Sequence, residues 1–203
     1  MKGSHNTMSF LDPSSIWAKV AKAWSKCQDL NLQEQIDKGI TYFDIRIRPH
    51  GDNNEPHFCH NVIDYGLVDE NTSFKLLNDA AAQSSEGLFY ARITLDIREK
   101  PDNADSLAEW FKFYVNGLKE RYPNIKFDSI KIFWDWGNDL AEQSINVTEK
   151  HWSVVDKKWW EYAIPLRCFA KSQNSDFIND YKNSHSEEEL KNNCLMIDYI
   201  EFE

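Results

Sequence analysis

The sequence predicts an α/β fold, in the form of a compact and distorted (β/α) barrel of the TIM type. Candidate strands and helices alternate along most of the 203 residues, which is typical of a mainly parallel sheet covered by helices. The seven or eight candidate strands suit a closed barrel, whereas such a barrel usually takes about 250 residues. We therefore expect a trimmed barrel that forms one domain, residues 1–203.

The first half of the chain carries clear signals for where elements begin and end. Asp12-Pro13-Ser14-Ser15 is typical of a helix start, and Gly39 is typical of a helix end. β-Branched and aromatic residues mark the strands, and the polar run 50–54 predicts a turn between two of them. The predicted elements are helices over 14–27 and 31–38, strands over 40–47 and 57–62, a helix over 73–84 and a strand over 88–97.

The second half continues the same alternation. An amphipathic pattern predicts a helix that Pro123 closes, and an apolar run then predicts a strand that breaks at Gly137. The predicted elements are helices over 105–121, 138–144 and 174–183, and strands over 129–134, 151–155 and 194–202.

The composition predicts a globular chain and excludes several function classes. With 8 Trp, 8 Tyr and 12 Phe, the chain has the aromatic density of a packed interior. The net charge of −10 repels nucleic acid and anionic bilayers, so we expect no nucleic-acid partner and at most peripheral membrane contact. The first ten residues lack the apolar core of a signal peptide. We expect a monomer that is cytoplasmic, or released without a visible signal peptide.

The cysteines and three of the histidines give no sign of a metal site in the sequence. Cys27, Cys59, Cys168 and Cys194 lie far apart without a CxxC pair, which indicates buried free thiols rather than a zinc site or a disulfide framework. A second set, His50, His57 and His185, lies beside a turn or in a polar segment, and we assign these histidines structural roles.

Polar and ionisable side chains stand at the ends of several predicted strands. His5 follows a short N-terminal strand, and His60 ends the third candidate strand. Asp44 and Arg46 share one face of a strand because side chains at i and i+2 point the same way. Asp198 lies in the final predicted strand. Functional side chains of a parallel barrel gather at the carboxyl ends of its strands, so we expect these residues to meet.

Four segments resemble the catalytic domain, the X domain, of the phosphatidylinositol-specific phospholipases C. They occur in the order found in that family: GSHNT at 3–7, LQEQIDKGITYFDIR at 32–46, FCHN at 58–61 and MIDYI at 196–200. The match is good over residues 3–61, and only the rhythm of strands and helices matches between 61 and the final segment. Asn61 stands where the family usually has glycine.

The resemblance implies a role for each of five residues. His5 would be the general base and His60 the general acid, since two histidines of near-neutral pKa can exchange protons with a hydroxyl and a leaving alkoxide. Asp198 would orient His5, as a triad aspartate does. Arg46 would bind the phosphate, and Asp44 would be a second partner of His5 or would orient Arg46.

The resemblance also implies that no metal cofactor is needed. Arg46 stands where the calcium-dependent members have a metal-ligating carboxylate, and a fixed guanidinium would repel a divalent ion. Asn6 and Asp96 match calcium-type positions, so calcium is the alternative. We assign Asn6 and Asp96 to substrate binding, together with Asp135 and Trp136. The last two end a strand as a carboxylate beside an aromatic ring, which suits a polyol or simply packing.

The function implied by the resemblance is cleavage of phosphatidylinositol or a related glycerophosphodiester by internal attack of a hydroxyl group. Glycerophosphodiester phosphodiesterases share the barrel but carry a metal-binding Glu-x-Asp, which Asp44-Ile45-Arg46 lacks. The alternative from another class is a barrel of weak or no activity that binds sugar phosphates or a protein.

Overall fold

A computed structural model of the chain describes residues 1–15, 26–84, 89–135, 145–150, 166–186, 189–190 and 193–200. The strands in these ranges are β1 (Lys2–Ser4), β2 (Tyr42–His50), β3 (Glu55–His60), β4 (Ile63–Leu67), β5 (Phe89–Leu95), β6 (Ile125–Ile132), β7 (Asn146–Lys150) and β8 (Asn193–Ile197). The α-helices are α1 (Leu32–Asp37), α2 (Phe74–Gln83), α3 (Ala104–Arg121) and α4 (Leu166–Ser184). Short 3-10 helices cover Thr7–Phe10 and Phe133–Asp135.

Six of the strands form a parallel sheet in the order β7, β8, β1, β2, β5, β6. The hairpin of β3 and β4 is antiparallel and extends from the carboxyl end of β2, where Ile47 pairs with Phe58 and His50 with Glu55. Strand β2 therefore has one end in the parallel sheet and the other in the hairpin. The predicted α/β class and the mainly parallel sheet are confirmed.

The closed barrel of the TIM type is not seen in the described residues, which form a curled half-barrel. Strands β6 and β7 are the edges of the parallel sheet, and no pairing joins them within the described ranges. The hairpin β3–β4 follows β2 where a regular barrel would have a helix and another parallel strand. This part of the chain therefore forms a projecting hairpin and adds no strand to the parallel sheet.

Most predicted elements are present, and their ends differ. The strand predicted over 129–134 begins earlier, at Ile125, because Ile125 pairs with Phe89 of the neighbouring strand. Helix α4 begins at Leu166 rather than at 174, and β8 ends at Ile197, one residue before Asp198. Strands β4 and β7 were not predicted. The predicted helix over 138–144 and strand over 151–155, and most of the helix over 14–27, lie outside the described residues.

The main core lies between the outer face of the sheet and its helices. Phe43, Ile45 and Ile47 alternate along β2 and are fully buried in this core. Helix α3 is amphipathic, as predicted, and buries Leu107, Phe111, Val115 and Leu118 at helical spacing. Each such side chain contributes about 1.5–3 kcal/mol of transfer free energy. No helix in the described ranges is long and apolar enough to cross a membrane.

The inner face of the half-barrel is filled in layers. Its lowest layer is apolar and consists mainly of Tyr42, Tyr90, Cys194 and Met196. Gly3 belongs to this layer, because a Cβ atom there would lie 2.6 Å from Sγ of Cys194. Moving along the same inward positions toward the carboxyl ends of the strands, the residues become charged, beginning with Asp44 on β2. The polar site therefore lies above this packed, mainly apolar layer, which we call the apolar floor.

Candidate active site

Five ionisable residues predicted from the sequence meet at the carboxyl ends of the parallel strands. His5 directly follows β1, Asp44 and Arg46 lie on β2, His60 ends β3, and Asp198 directly follows β8. All but His60 are buried. The side chains form a continuous chain of contacts, described in turn below. The structure thus brings together residues that are as far apart in the sequence as 5 and 198.

His5 is held on both ring nitrogens. Its Nδ1 lies 2.7 Å from Oδ1 of Asp198, and its Nε2 lies 2.7 Å from Nη2 of Arg46. A guanidinium has only donors, so Nε2 accepts a hydrogen bond from Arg46 and carries no proton. The proton is then on Nδ1, where it is donated to the Asp198 carboxylate. This arrangement assigns a neutral ring whose lone pair, on Nε2, faces the site and accepts from Arg46.

Backbone contacts fix the two strand ends that carry His5 and Asp198. The N–H of His5 donates to the carbonyl oxygen of Ile197 at 3.1 Å, which continues the pairing of β1 with β8. The amide of Gln28 donates to the carbonyl oxygens of His5 and Ile197. The amide of Asn174 donates to the carbonyl oxygen of Asp198. Gln28 and Asn174 are buried supports that the sequence did not reveal.

Asp44 is the centre of a buried ion-pair network. Its Oδ1 accepts from Nε of Arg92 at 2.9 Å, and its Oδ2 accepts from Nε of Arg46 at 3.1 Å and from the backbone N–H of Asn6 at 3.0 Å. Arg92 also donates to Glu149. Burial raises the pKa of the Asp44 carboxyl, but Arg92, Arg46 and His5 outweigh burial and hold this pKa well below its usual range. Asp44 is therefore a carboxylate throughout the neutral range.

Arg92 and Glu149 are members of this network that sequence reasoning missed. Arg92 is only 1% exposed and lies directly beside Asp44 in the pairing of β2 with β5. One signal was present: Arg92 is the charged residue of the otherwise apolar and hydroxyl-bearing strand FYARITL. A charge in a strand that is buried along its whole length requires a partner charge.

Arg46 faces three groups of the site. Besides Asp44 and His5, its Nη1 lies 3.6 Å from Oδ2 of Asp96. Burial lowers the pKa of Arg46, but Asp44 and Asp96 raise this pKa above the ordinary value, so the guanidinium stays cationic. Its planar donors are fixed by two carboxylates, in a geometry that suits a phosphate group.

His60 lies opposite His5 and is borne by the hairpin. The two ring centroids are 6.1 Å apart and the rings are nearly perpendicular. Sγ of Cys27 lies 3.9 Å from Nδ1 of His60. Burial and the nearby Asp198 raise the pKa of the Cys27 thiol well above its ordinary value, so Cys27 is a neutral thiol at this position. Its place in the site was not predicted.

The two remaining predicted substrate contacts in the described part of the chain have buried polar atoms without partners. Oδ1 and Nδ2 of Asn6 and Oδ1 of Asp96 make no hydrogen bond with any residue that the structure describes. The other oxygen of Asp96 accepts from the N–H of Asn61 at 2.9 Å. An unsatisfied buried polar group costs about 1–3 kcal/mol. These atoms are therefore positioned for a ligand or for water.

Asp135 and Trp136 are not placed against the site. Asp135 ends the 3-10 helix that follows β6, at the carboxyl end of that strand, and its side chain is outside the described part of the structure. Trp136 lies beyond the described residues. Their predicted contact with substrate stays a prediction.

Three of the residues that bear the site are each followed by a residue in the left-handed backbone conformation. Asn6 after His5 has φ of 43°, Asn61 after His60 has 56°, and Tyr199 after Asp198 has 53°. Asparagine tolerates this conformation better than other residues with a Cβ atom. Asn61 can therefore occupy the position at which the phospholipase family usually has glycine.

Two solved structures resemble the chain along nearly its whole length. The phosphatidylinositol-specific phospholipase C from Listeria monocytogenes aligns with a TM-score of 0.60 and 16% identity, over 98% of this chain and 87% of that one. The Staphylococcus aureus enzyme of the same name, with pentafluorophenylalanine incorporated, aligns with a TM-score of 0.59 and 14% identity, over 98% and 85%. No protein-family model and no curated protein matches the sequence. The chain has the α/β fold of the bacterial phosphatidylinositol-specific phospholipases C.

Proposed function

We propose that the chain cleaves a phosphodiester by internal attack of a neighbouring hydroxyl group, with phosphatidylinositol or a related glycerophosphodiester as substrate. The observation that carries the proposal is His5, whose Nδ1 bonds Asp198 while Arg46 donates to its Nε2. A neutral imidazole whose Nε2 can accept a proton, beside a fixed guanidinium, matches what the reaction requires, namely a base next to a phosphate-binding cation.

The proposed reaction moves one proton at each histidine. A substrate hydroxyl takes the place of Arg46 at Nε2 of His5 and transfers its proton there as its oxygen bonds to phosphorus. The ester bond to the leaving oxygen breaks, and His60 donates a proton to that oxygen, which gives an alcohol and a cyclic phosphate. Asp198 stabilises the imidazolium formed on His5, as a triad aspartate does.

The same proposal gives Arg46 the role of the phosphate cation and needs no metal ion. Arg46 lies between Asp44 and Asp96, and the alternative reading assigns Asp96 to calcium together with Asn6. Calcium needs six to eight oxygen ligands, and the guanidinium takes up the space and charge that such a shell would require. The residues therefore do not fit calcium while Arg46 remains in place.

The substrate contacts follow from the unpaired polar atoms. We propose that the Asn6 amide and Oδ1 of Asp96 bind hydroxyl groups or the phosphate of the head group, because both are buried beside Arg46 or Asp44 and lack partners among the described residues. Asp135 and Trp136 remain proposed contacts for the ring of the head group. The lipid would be reached by peripheral contact, with the chain acting as a monomer.

The experiment is release of inositol phosphate from phosphatidylinositol micelles in the presence of EDTA. We compare the parent chain with His5→Ala and His60→Ala, and use His185→Ala, which removes a partly exposed histidine packed on Tyr181, as the control. Each of the first two variants is expected to lose about 10²–10⁴ in rate. Binding of phosphatidylinositol should survive both changes.

The outcomes separate the proposal from its rivals. Activity that EDTA abolishes and calcium restores supports the calcium-dependent reading. Binding of inositol phosphate without turnover, unaffected by either histidine variant, supports a binding module. A parent chain that cleaves glycerophosphoinositol but not the lipid would place the substrate among soluble diesters.

A further inference from the structure

A second cluster of histidines and a carboxylate lies on the hairpin and the adjoining end of β2, separate from the residues of the candidate active site. His50 is the last residue of β2, His57 lies in β3 and Asp64 lies in β4. The three strands are consecutive neighbours in the antiparallel part of the sheet. The cluster therefore connects strands that come from three different segments of the chain.

The nitrogen and oxygen atoms of this cluster converge. Nδ1 of His57 lies 2.9 Å from Oδ1 of Asp64, and Nδ1 of His50 lies 3.3 Å from Oδ2 of the same carboxylate. The two imidazole rings stack with their centroids 4.2 Å apart and an angle of 7° between their planes. Each residue can offer one ligand atom, and these three atoms lie within 4.8 Å of one another.

This spacing is close to that of a tetrahedral zinc site. Zinc bonds to nitrogen and oxygen are about 2.0–2.2 Å long, so the ligand atoms of a tetrahedron lie about 3.3 Å apart. Oδ2 of Asp64 already has this spacing within a few tenths of an ångström, at 3.0 Å from Nδ1 of His57 and 3.3 Å from Nδ1 of His50. A ligand set of two imidazoles and one carboxylate also favours binding of zinc over binding of calcium or magnesium.

One neighbouring positive charge, the guanidinium of Arg48, would repel a bound ion. Nη2 of Arg48 lies 3.3 Å from Oδ2 of Asp64, and Nη1 donates to the carbonyl oxygen of Asn61. Unlike the buried Arg46, Arg48 has a partly exposed side chain, 26% against 7%. Arg48 can therefore turn toward solvent. The N–H of Gly66 donates to Oδ1 of Asp64 and orients the carboxylate without adding charge.

We infer that His50, His57 and Asp64 form a binding site for a divalent transition-metal ion, with zinc as the ion to test. The ion takes Nδ1 of each imidazole and one oxygen of Asp64, and the proton of each neutral ring resides on Nε2. His50 is largely exposed, with 55% of its side chain accessible, so water can occupy the fourth position. The sequence alone had suggested structural roles for both histidines.

A bound ion would fasten the hairpin to β2. The hairpin bears His60 at the end of β3. It is attached to the sheet because residues 47–50 of β2 pair with β3. A ligand that binds only the folded chain raises its stability by mass action. Zinc is therefore expected to raise the unfolding temperature of the chain, whether or not the chain cleaves a phosphodiester.

The test is calorimetric titration of Zn²⁺ into the metal-free chain, together with thermal unfolding followed by circular dichroism. His50→Ala and His57→Ala should each weaken binding at least about 100-fold, beyond the 10- to 100-fold cost typical of losing a supporting residue only. Zinc should raise the unfolding temperature of the parent chain and not that of His50→Ala. His185→Ala is the matched control and should bind as the parent does.

Two further variants keep the result interpretable. Arg48→Gln should tighten binding about five- to tenfold, because one unit of positive charge near the ion is removed. The titrations are repeated in a Cys27→Ser background, because His5, Cys27 and Asp198 form another group whose ligand atoms lie within 4.8 Å of one another. Zinc binding that neither His50→Ala nor His57→Ala weakens, or that Arg48→Gln weakens, overturns the inference.

Discussion

Two clusters in this molecule use the same three residue types, histidine, aspartate and arginine, at the same end of β2. In the first, His5 is buried between Asp198 and Arg46. In the second, His50 and His57 stack over Asp64 beside Arg48, and His50 faces solvent. Arg46 is buried and held by two carboxylates, whereas Arg48 is partly exposed and pairs with one.

The difference teaches that burial decides what such a cluster can do. A buried guanidinium keeps its charge at a fixed place, and in the proposed reaction it would serve as a permanent cation for the phosphate. A partly exposed guanidinium can turn toward solvent, and the neighbouring imidazoles and carboxylate can then bind an ion in its place. The residue types alone do not distinguish these two outcomes, because both clusters contain the same groups.

The largest expected effect is on catalysis, and it concerns the two arginines. Arg46→Lys replaces a planar group held by Asp44 and Asp96 with a single ammonium, which cannot reach His5 and both carboxylates at once. We expect a loss of about 10²–10³ in turnover, as for other donors to a developing oxyanion. Turnover of phosphatidylinositol micelles in EDTA is the measurement.

Arg48→Lys is the matched control, because it makes the same change two residues further along β2. It should leave turnover within about twofold of the parent, since exposed charges contribute little. An equal loss in both variants would mean that the distinction between the two clusters is wrong and that a general positive charge suffices.

The second prediction concerns stability. Arg92→Met removes the buried partner of Asp44 and Glu149 and should lower the free energy of unfolding by about 3–5 kcal/mol. Arg121→Met removes the exposed pair with Glu70, for which about 0–1 kcal/mol is expected. Urea unfolding measures both. Similar losses in the two variants would contradict the network drawn around Asp44.

The third prediction is a pH dependence with a defined sign. The folded-state pKa of Asp44 is below its ordinary value near 3.8, so the unfolded chain binds this proton first as the pH falls. The stabilisation is complete above about pH 4 and is lost in more acidic solution, with a slope of up to about 1.4 kcal/mol per pH unit. Free energies of unfolding measured in urea across this range check it.

Two variants sharpen this acid dependence. Asp44→Asn should be less stable at neutral pH and should have a flatter slope below about pH 4. Asp64→Asn should flatten the slope less. Burial raises the pKa of Asp64, and the contacts with His57, Gly66 and Arg48 lower this pKa below its ordinary value, but less far than the pKa of Asp44 is lowered. A parent slope that Asp44→Asn leaves unchanged would rule out Asp44 as its source.

The parts of the structure that could be predicted are those that depend on local pattern. The alternation of side chains predicted that Asp44 and Arg46 share a face, and both point into the site. Helical spacing gave α3 nearly to the residue. The convergence of His5, His60 and Asp198 was expected from their positions at predicted strands of a parallel barrel, whereas the role of each came from resemblance to a family, because those residues meet only through the order of strands in the sheet.

The parts that were missed depend on register and on distant segments. Arg92 meets Asp44 because β5 pairs with β2 in one particular register, which neither strand encodes alone. Cys27 was correctly expected to be a buried free thiol. Its contact with His60 depends on how the segment that precedes α1 folds against β3. The antiparallel hairpin was missed because Ile63–Leu67 is short and interrupted by Gly66.

The apolar floor beneath the site limits the direction from which a substrate can arrive. Gly3 already has the Sγ atom of Cys194 where a side chain would begin, and Tyr42 and Tyr90 stack beside it. Among the described residues, these side chains fill that end of the half-barrel. In the proposed reaction, we expect the diester to reach His5 head group first from the carboxyl ends of the strands, with its leaving group directed toward the hairpin that bears His60. Selectivity is therefore expected to rest on the head group that enters rather than on the chain that stays outside.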